Sequence, residues 1–217
     1  MKAFFKQWYH ALGILSIPIQ GFIYVWITHH IGPNIYYDYG WLDTKIPFLR
    51  WFILPYVSWM PILYISFLYF AIVNRKIYWH TLIIYNIAVA ISHVIFWVYP
   101  THVPRPAVDS ADLAGVLVNF IYRSDMPYNC FPSIHVMTSY LLYITIRRAK
   151  RHLTLNTSIR SIWSVLLWFI IASTVFVKQH SILDVIGGII CAEVTYQLFY
   201  YVISLTQRRE KQMTGSY

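Results

Sequence analysis

Cysteine and charged residues are both scarce in this chain of 217 residues. It has two cysteines, which excludes a disulfide-stabilised scaffold and a cysteine-rich metal site. Charged residues make up 12% of the chain, against roughly 25% in soluble domains, so an ordinary cytosolic globular protein is also excluded. Hydrophobic residues instead make up 58% and aromatic residues 19%, a composition typical of a membrane protein with aromatic interface belts.

Six apolar segments are candidates for membrane-spanning helices, because about 20 apolar residues are needed to cross the hydrocarbon core. They cover residues 11–28, 51–73, 77–99, 133–146, 162–177 and 182–205. The fourth segment is short, so it requires the loop before it to lie close to the membrane surface. We therefore predict an all-α polytopic membrane protein, a bundle of six transmembrane helices that forms a single domain over residues 1–217.

Basic residues are distributed unequally between the two ends of these segments. Twelve flank one side: Lys2, Lys6, Arg75, Lys76, Arg147, Arg148, Lys150, Arg151, Arg160, Arg208, Arg209 and Lys211. Five flank the other: Lys45, Arg50, Arg105, Arg123 and Lys178. Because Lys and Arg in short loops favour the cytoplasmic side, both termini are expected to be cytoplasmic. The net charge of +9 therefore indicates topology rather than nucleic-acid binding, and we expect a multi-pass protein of a bacterial plasma membrane.

Polar residues beside membrane spans are functional candidates, because it is costly to bury them. Three clusters fall on the predicted extracytoplasmic side: Arg105 between Pro104 and Pro106, the segment Pro132-Ser133-Ile134-His135, and the segment from Lys178 to Asp184. The second and third clusters each begin a helix, where free amides and the helix dipole attract anions. Each cluster alone also has a structural interpretation, as an interfacial Arg, a helix cap or a His–Asp pair that holds a helix in place.

His180 and Asp184 lie four residues apart and therefore share one face of the last helix. A carboxylate one turn below an imidazole accepts its ring N–H, which leaves the other ring nitrogen free to attack. Together with His135 and the cations on the same side, the pair suits phosphoryl transfer through a phospho-histidine, with the second imidazole protonating the leaving oxygen. The pattern has no evident set of metal ligands, so neither a metal nor another cofactor is expected.

These motifs resemble those of the type 2 phosphatidic acid phosphatase superfamily of membrane lipid phosphatases, which read Lys-x6-Arg-Pro, Pro-Ser-Gly-His and Ser-Arg-x5-His-x3-Asp. The counterparts here are Arg105-Pro106, Pro132-Ser133-Ile134-His135, and His180 with Asp184, within residues 98–188. The resemblance implies that His180 is the nucleophile, that Asp184 orients it and that His135 protonates the leaving group. It also implies that Arg105, Ser133 and Lys178 bind the phosphate.

Three motif positions differ from the family pattern. Val98 stands for the Lys of the first motif, Ile134 for the Gly of the second and Thr174 for the Arg of the third. Two phosphate-binding cations are thus missing, and Lys178 or Arg123 are the expected replacements. The segments 128–135 and 178–180 look more like the inositol-phosphorylceramide-synthase and sphingomyelin-synthase branch, which transfers a phospho-head-group to a lipid hydroxyl.

Three functions stay open, all with membrane lipids as partners. The first is a metal-independent lipid phosphatase, acting at the extracytoplasmic leaflet on an isoprenoid pyrophosphate, phosphatidic acid or phosphatidylglycerol phosphate. The second is a phosphotransferase that moves a phospho-head-group to a lipid or polyol hydroxyl. The third is a non-catalytic transporter or scaffold, in which Glu193 deep in the last span would act, although a structural polar contact is the preferred interpretation. Asp125 and Asn129 are further candidate site residues, and Asp125 either recognises an acceptor or forms a loop salt bridge, the latter being the preferred interpretation.

Overall fold

The computed structural model describes residues 9–30, 32, 35–37 and 39–214. Nine α-helices are found in this part of the chain: α1 (Ser16–His29), α2 (Trp41–Lys45), α3 (Ile53–Val57), α4 (Trp59–Val73), α5 (Arg75–Val98), α6 (Leu113–Ser124), α7 (Ile134–Arg148), α8 (Thr157–Phe176) and α9 (Ile182–Thr214). Two 3₁₀ helices, Tyr9–Leu15 and Arg50–Phe52, precede α1 and α3. Strands β1 (Tyr36–Tyr37) and β2 (Thr101–His102) form a short parallel pair. Lys2 and Lys6, on which the predicted orientation partly rests, lie outside the described residues.

Five helical stretches of the described chain are long and apolar enough to cross a membrane. They are Tyr9–His29, Arg50–Val73, Arg75–Val98, Thr157–Phe176 and Ile182–Glu210, and they correspond to five of the six predicted spans. The remaining prediction, residues 133–146, falls on α7, which has 15 residues and is only about 22 Å long at 1.5 Å per residue. The protein is thus a helical multi-pass membrane protein with five candidate spans. A sixth span and the cytoplasmic termini stay predictions.

Helix α7 packs between α8 and α9 and is surrounded by protein. Its inward face contains apolar residues such as Met137 and Leu141, together with the hydroxyl groups of Thr138, Ser139 and Thr145, all buried. Trp59 in α4 donates a hydrogen bond from Nε1 to Thr138 Oγ1 at 2.7 Å. Buried hydroxyls need partners inside a protein, and Thr138 and Thr145 have them in Trp59 of α4 and Thr81 of α5, contacts that lipid could not supply.

The deep acidic residue of the last helix, Glu193, is paired. Its Oε1 accepts hydrogen bonds at 2.6 Å from both Arg148 Nη2 and Gln197 Nε2. Tyr140 donates its hydroxyl hydrogen to Oε2 at 3.3 Å. These contacts link α7 to α9 and agree with the structural interpretation of this carboxylate.

Two glycines allow α7 and α9 to approach closely. A Cβ atom on Gly188 would lie 2.8 Å from the carbonyl oxygen of Ser133 and 3.1 Å from the backbone nitrogen of Met137, and a Cβ atom on Gly187 would overlap the Phe131 ring. Small residues permit such backbone contacts between membrane helices. This contact fixes the start of α7 against α9, and it determines the height of His135 along the bundle.

We expect Gly188→Ala to destabilise the protein by about 1–3 kcal/mol, because the added methyl group meets backbone atoms that cannot move independently. The matched control is Gly21→Ala in α1, where a Cβ atom would meet nothing within 4 Å and where alanine is the better helix former. Thermal unfolding of both purified variants in the same detergent checks the expectation. Equal unfolding temperatures for the two variants would contradict it.

Candidate active site

The starts of α7 and α9 lie side by side. Ser133 caps α7, since its Oγ accepts a hydrogen bond from the N–H of Val136 at 3.3 Å. The backbone N–H of Ser133 donates to the carbonyl oxygen of Asp184 at 3.1 Å, which joins the first turns of the two helices. The Ser133 hydroxyl is fully buried and serves as a cap, and its phosphate-binding role stays a prediction.

Ser181 and Asp184 form a reciprocal cap at the start of α9. The N–H of Asp184 donates to Ser181 Oγ at 3.2 Å, and the N–H of Ser181 donates to Asp184 Oδ2 at 2.7 Å, as in a capping box. The same Oδ2 lies 3.4 Å from Nδ1 of His180. Because Asp184 is fully buried, the cap holds its carboxylate in one position beside the imidazole.

The two predicted imidazoles face each other. His180 Nε2 lies 3.4 Å from His135 Nδ1, and the His135 ring packs against Trp59 and Tyr56, with centroid distances of 4.1 and 4.8 Å. The contact of His180 Nδ1 with Asp184 lacks hydrogen-bond geometry, but the distances fit an arrangement in which His180 carries its proton on Nδ1 and His135 donates from Nδ1 to His180 Nε2. His180 Nε2 can then donate an electron pair, and the N–H of His135 Nδ1 can act as an acid.

Both imidazoles line a cavity of about 730 Å³, a volume in the range of ligand sites. Its polar end is formed by Arg105, Asp125, Asn129, His135, Gln179 and His180. The rest of its lining is mainly apolar and comes from α1, α3, α4, α5 and α6, including Ile17, Phe22, Val57, Met60, Val89 and Phe120. The site therefore combines a compact polar end with a long apolar lining.

Arg105 is held firmly at the polar end. Its Nη1 donates to the carbonyl oxygens of Asp125 at 2.6 Å and Tyr122 at 3.3 Å, and its Nη2 donates to Gln179 Oε1 at 2.5 Å. The guanidinium also lies over the Tyr122 ring, 4.8 Å from the centroid. Its Nε has no hydrogen-bond partner among the described residues. Of the Lys and Arg residues that the structure describes, Arg105 is the one that lines the cavity.

A sequence model of the PAP2 superfamily matches residues 77–208, more than half of the chain. The chain belongs to the PAP2 superfamily. The matched region contains Arg105, His135, His180 and Asp184, the residues that the site brings together. Comparison with curated proteins and with solved structures gives no significant match. The PAP2 superfamily generally contains phosphatases and phosphotransferases, and membership suggests one of these activities on a lipid phosphate.

Lys178, expected to replace a missing PAP2 cation, is directed elsewhere. Its Nζ donates to the carbonyl oxygens of Asp43 at 2.9 Å and Ile46 at 2.6 Å, and it lies 5.6 Å from the centroid of the Tyr39 ring. Lys178 does not line the cavity. The turn between α8 and α9 gives it a positive φ of 53°. Its buried charge thus holds the segment after β1 against this turn, and the geometry does not support phosphate binding.

The three further candidates in this PAP2 chain have different positions. Arg123 is exposed and does not line the cavity, whereas Asp125 and Asn129 do. Asp125 Oδ1 accepts a hydrogen bond from the hydroxyl of Tyr24 at 2.8 Å, and no ion pair joins Asp125 to another described residue. Asn129 Nδ2 donates to Thr28 Oγ1 at 3.0 Å. Asp125 therefore forms a carboxylate–hydroxyl pair at the cavity wall, and the loop salt bridge that was preferred for it is not found among the described residues.

One group in the PAP2 site has atoms close enough to hold a metal ion. Ligand atoms of Cys130, His180 and Asp184 lie within 4.8 Å of one another. Burial raises the pKa of the Cys130 thiol well above its usual value, and the charge of Asp184 raises it further. Because thiolates rather than thiols bind metals, this group fits a metal ion poorly at neutral pH. The expected independence of metals stays a prediction.

Sequence reasoning missed Gln179 and Tyr24 in this PAP2 site. Gln179 stands between two predicted site residues, but its position in the sequence does not indicate that its carboxamide contacts Arg105. Tyr24 lies in the first predicted span, 101 residues from Asp125. An isolated Tyr in an apolar span is more simply interpreted as a member of an aromatic belt, so no sequence signal pointed to this contact.

Proposed function

We propose that this PAP2 protein cleaves a phosphate ester or phosphoanhydride bond of a membrane lipid through a phospho-histidine on His180. The observation that carries the proposal is the series of contacts from Asp184 through His180 to His135, at the polar end of a largely apolar cavity. A catalytic imidazole needs an orienting group on one nitrogen and the reacting atom on the other. The three side chains supply this arrangement.

The proposed reaction has two steps. In the first, the electron pair of His180 Nε2 attacks the phosphorus atom, the bond to the leaving oxygen breaks, and His135 gives that oxygen its proton. Asp184 stabilises the positive charge that develops on the phosphorylated imidazole. In the second step His135, now neutral, takes a proton from water, the hydroxide attacks phosphorus, and the P–N bond breaks to restore His180.

The lining of the cavity supports a lipid substrate. A phosphate group at the polar end would leave its hydrocarbon chain against the apolar side chains of α1, α4, α5 and α6. Water is excluded from such a surface at a gain of roughly 25 cal/mol per Å² of buried apolar area. A soluble phosphate ester would leave this surface unused, so the shape of the site favours a substrate with at least one long chain.

The position of the site along the helices supports action at the extracytoplasmic leaflet. His135 and His180 lie at the starts of α7 and α9, whereas Arg147 and Arg148 end α7 and Arg208 lies near the end of α9. Basic residues favour the cytoplasmic end. We therefore place the site on the opposite side of a bacterial plasma membrane.

Transfer to an alcohol is a second candidate, and the pair of Asp125 and Tyr24 favours it. A carboxylate in the cavity that accepts a hydroxyl hydrogen at 2.8 Å is a suitable partner for the hydroxyl group of an acceptor. The sequence around His135 and His180, which looks like that of the inositol-phosphorylceramide-synthase branch, supports the same reaction. The non-catalytic alternative has less support, because a scaffold has no need for the aligned Asp184, His180 and His135.

A donor and acceptor panel tests the proposal. Purified protein in nanodiscs is given lipids labelled at phosphorus, among them phosphatidic acid, an isoprenoid pyrophosphate and phosphatidylcholine. Each lipid is tested with and without a chelator, and with and without glycerol or a lipid alcohol. We expect turnover that the chelator does not change. Release of labelled phosphate or phospho-head-group to water would support hydrolysis, and a labelled new lipid that requires the alcohol would support transfer. No product and no labelled protein with any donor would contradict the proposed chemistry.

A further inference from the structure

The side chain of Gln179 is fixed in one orientation at the polar end of the cavity. It is 2% exposed, it lines the cavity next to His180, and its Oε1 lies 2.5 Å from Arg105 Nη2. Because a guanidinium group only donates hydrogen bonds, the amide atom that faces it must be the oxygen. The NH₂ group of Gln179 therefore points away from Arg105.

This NH₂ group has no hydrogen-bond partner among the described residues. The Nε of Arg105 is buried and also has none. An unpaired buried donor is destabilising, and native structures contain few of them. These two unpaired donors belong to contacting side chains in one wall of the cavity. An anion that accepts a hydrogen bond from each of them would explain both. The phosphate that His180 attacks is the anion that the proposed function supplies.

The charges that line the cavity limit which anion fits. Arg105 is positive and Asp125 negative, while Lys178 and Arg123 do not line the cavity. When His135 carries the proton that it gives to the leaving group, the polar end has two positive groups, and the carboxylates of Asp125 and of Asp184 beside His180 offset them. A phosphodiester adds one negative charge to this site, whereas a phosphomonoester adds about −1.5 to −2 at neutral pH. Buried charge that is not balanced is costly.

We propose that the Gln179 carboxamide binds a non-bridging phosphoryl oxygen beside Arg105, so that the site prefers a singly charged phosphodiester lipid to a phosphomonoester lipid. This inference rests on the proposed function of His180. The neutral carboxamide stands where a further cation would suit a doubly charged phosphate, and it accounts for a site in which two of the expected PAP2 cations are absent. A phosphodiester lipid as substrate favours transfer of its head group over removal of a terminal phosphate.

Two lipids that differ only in phosphate charge test this preference. Phosphatidic acid and its methyl ester, phosphatidylmethanol, have the same acyl chains and release the same diacylglycerol. We expect kcat/KM for the methyl ester to be about tenfold higher or more, which corresponds to one well-matched charge contact. Gln179→Leu is expected to lower kcat/KM for the methyl ester by about tenfold or more. Gln179→Lys, which adds a cation, should raise turnover of phosphatidic acid relative to the methyl ester.

A matched control and an isosteric variant separate binding from folding. Gln197→Leu makes the same change on α9 at an exposed residue that contacts Glu193, and both substrates should be turned over as before. Gln179→Glu keeps the shape and can still accept from Arg105, but it replaces the NH₂ donor by a carboxylate oxygen. It should retain the thermal stability of the wild type and lose at least as much activity as the leucine variant.

Binding without turnover distinguishes the two proposals. Non-hydrolysable phosphonate analogues of both lipids are added to wild-type protein and to Gln179→Leu, and thermal stabilisation is measured. Stronger stabilisation by the methyl-ester analogue in the wild type, lost in Gln179→Leu, would support the inference about Gln179. Absence of turnover of both natural lipids would contradict only the proposed function. The inference about Gln179 would be overturned if the wild type bound the phosphomonoester analogue more tightly, or if Gln179→Leu behaved like Gln197→Leu.

Discussion

His180→Ala is expected to abolish formation of the phosphorylated protein and to lower kcat by about 10³-fold or more, as for removal of a covalent nucleophile. In the wild type, brief mixing with a lipid labelled at phosphorus should leave label on the protein that is lost in acid and kept in base, as for a phosphoramidate. The alanine variant offers no nitrogen at this position, so neither label nor product should form. Quantitative gel autoradiography and product release measure the two effects.

A second histidine provides the control. His152 is exposed and lies in the loop after α7, so His152→Ala should keep both the label and the activity. His135→Ala should lower the rate strongly on a lipid and much less on a nitrophenyl phosphate ester, whose leaving group needs no proton. A His180→Ala protein that still becomes labelled would show that another group attacks phosphorus.

The parts of the site that could be predicted from sequence depend on short-range geometry. His180 and Asp184 are four residues apart in the chain, and the reciprocal cap between Ser181 and Asp184 follows from a spacing of three residues. Ser133 as the cap of α7 was visible for the same reason. That the two helix starts lie beside each other required the whole bundle, although the family resemblance already implied it.

The parts that could not be predicted depend on contacts between distant segments. The ammonium group of Lys178 binds carbonyl groups 132 and 135 residues away, and the positive φ at this residue turns it away from the cavity. Its charge and its position beside His180 were the grounds for the prediction that it binds phosphate. The pairing of Asp125 with Tyr24 depends likewise on where the first span packs.

The fold shows the same division between local and long-range information. Helices longer than about 20 apolar residues were readily predicted, because lipid requires a continuous apolar surface. Helix α7 is different, since it is surrounded by other helices and its polar groups, such as Thr138 and Ser139, are buried against protein. Its start packs against α9 at Gly188, a contact that hydropathy does not contain.

Asp184→Asn is expected to lower kcat by about 10²- to 10⁴-fold, in the range seen when the orienting acid of a catalytic histidine is neutralised, while the fold is retained. An asparagine oxygen in the position of Oδ2 still accepts from the N–H of Ser181, so the cap of α9 survives. The same oxygen lies beside His180 Nδ1, but a neutral amide holds the Nδ1 proton less strongly than a carboxylate does. A neutral amide also gives no stabilisation to the positive imidazole of the intermediate.

Ser181→Ala separates this chemical role from the structural one. It removes the Oγ that accepts from the N–H of Asp184 and should cost about 1 kcal/mol of stability, as for loss of a helix cap, but it leaves the carboxylate beside His180. We therefore expect a lower unfolding temperature with kcat largely kept, which is the reverse of Asp184→Asn. If both variants lost stability and activity in parallel, Asp184 would be a capping residue whose carboxylate charge does not act on the imidazole, and the proposed nucleophile would lack its orienting group.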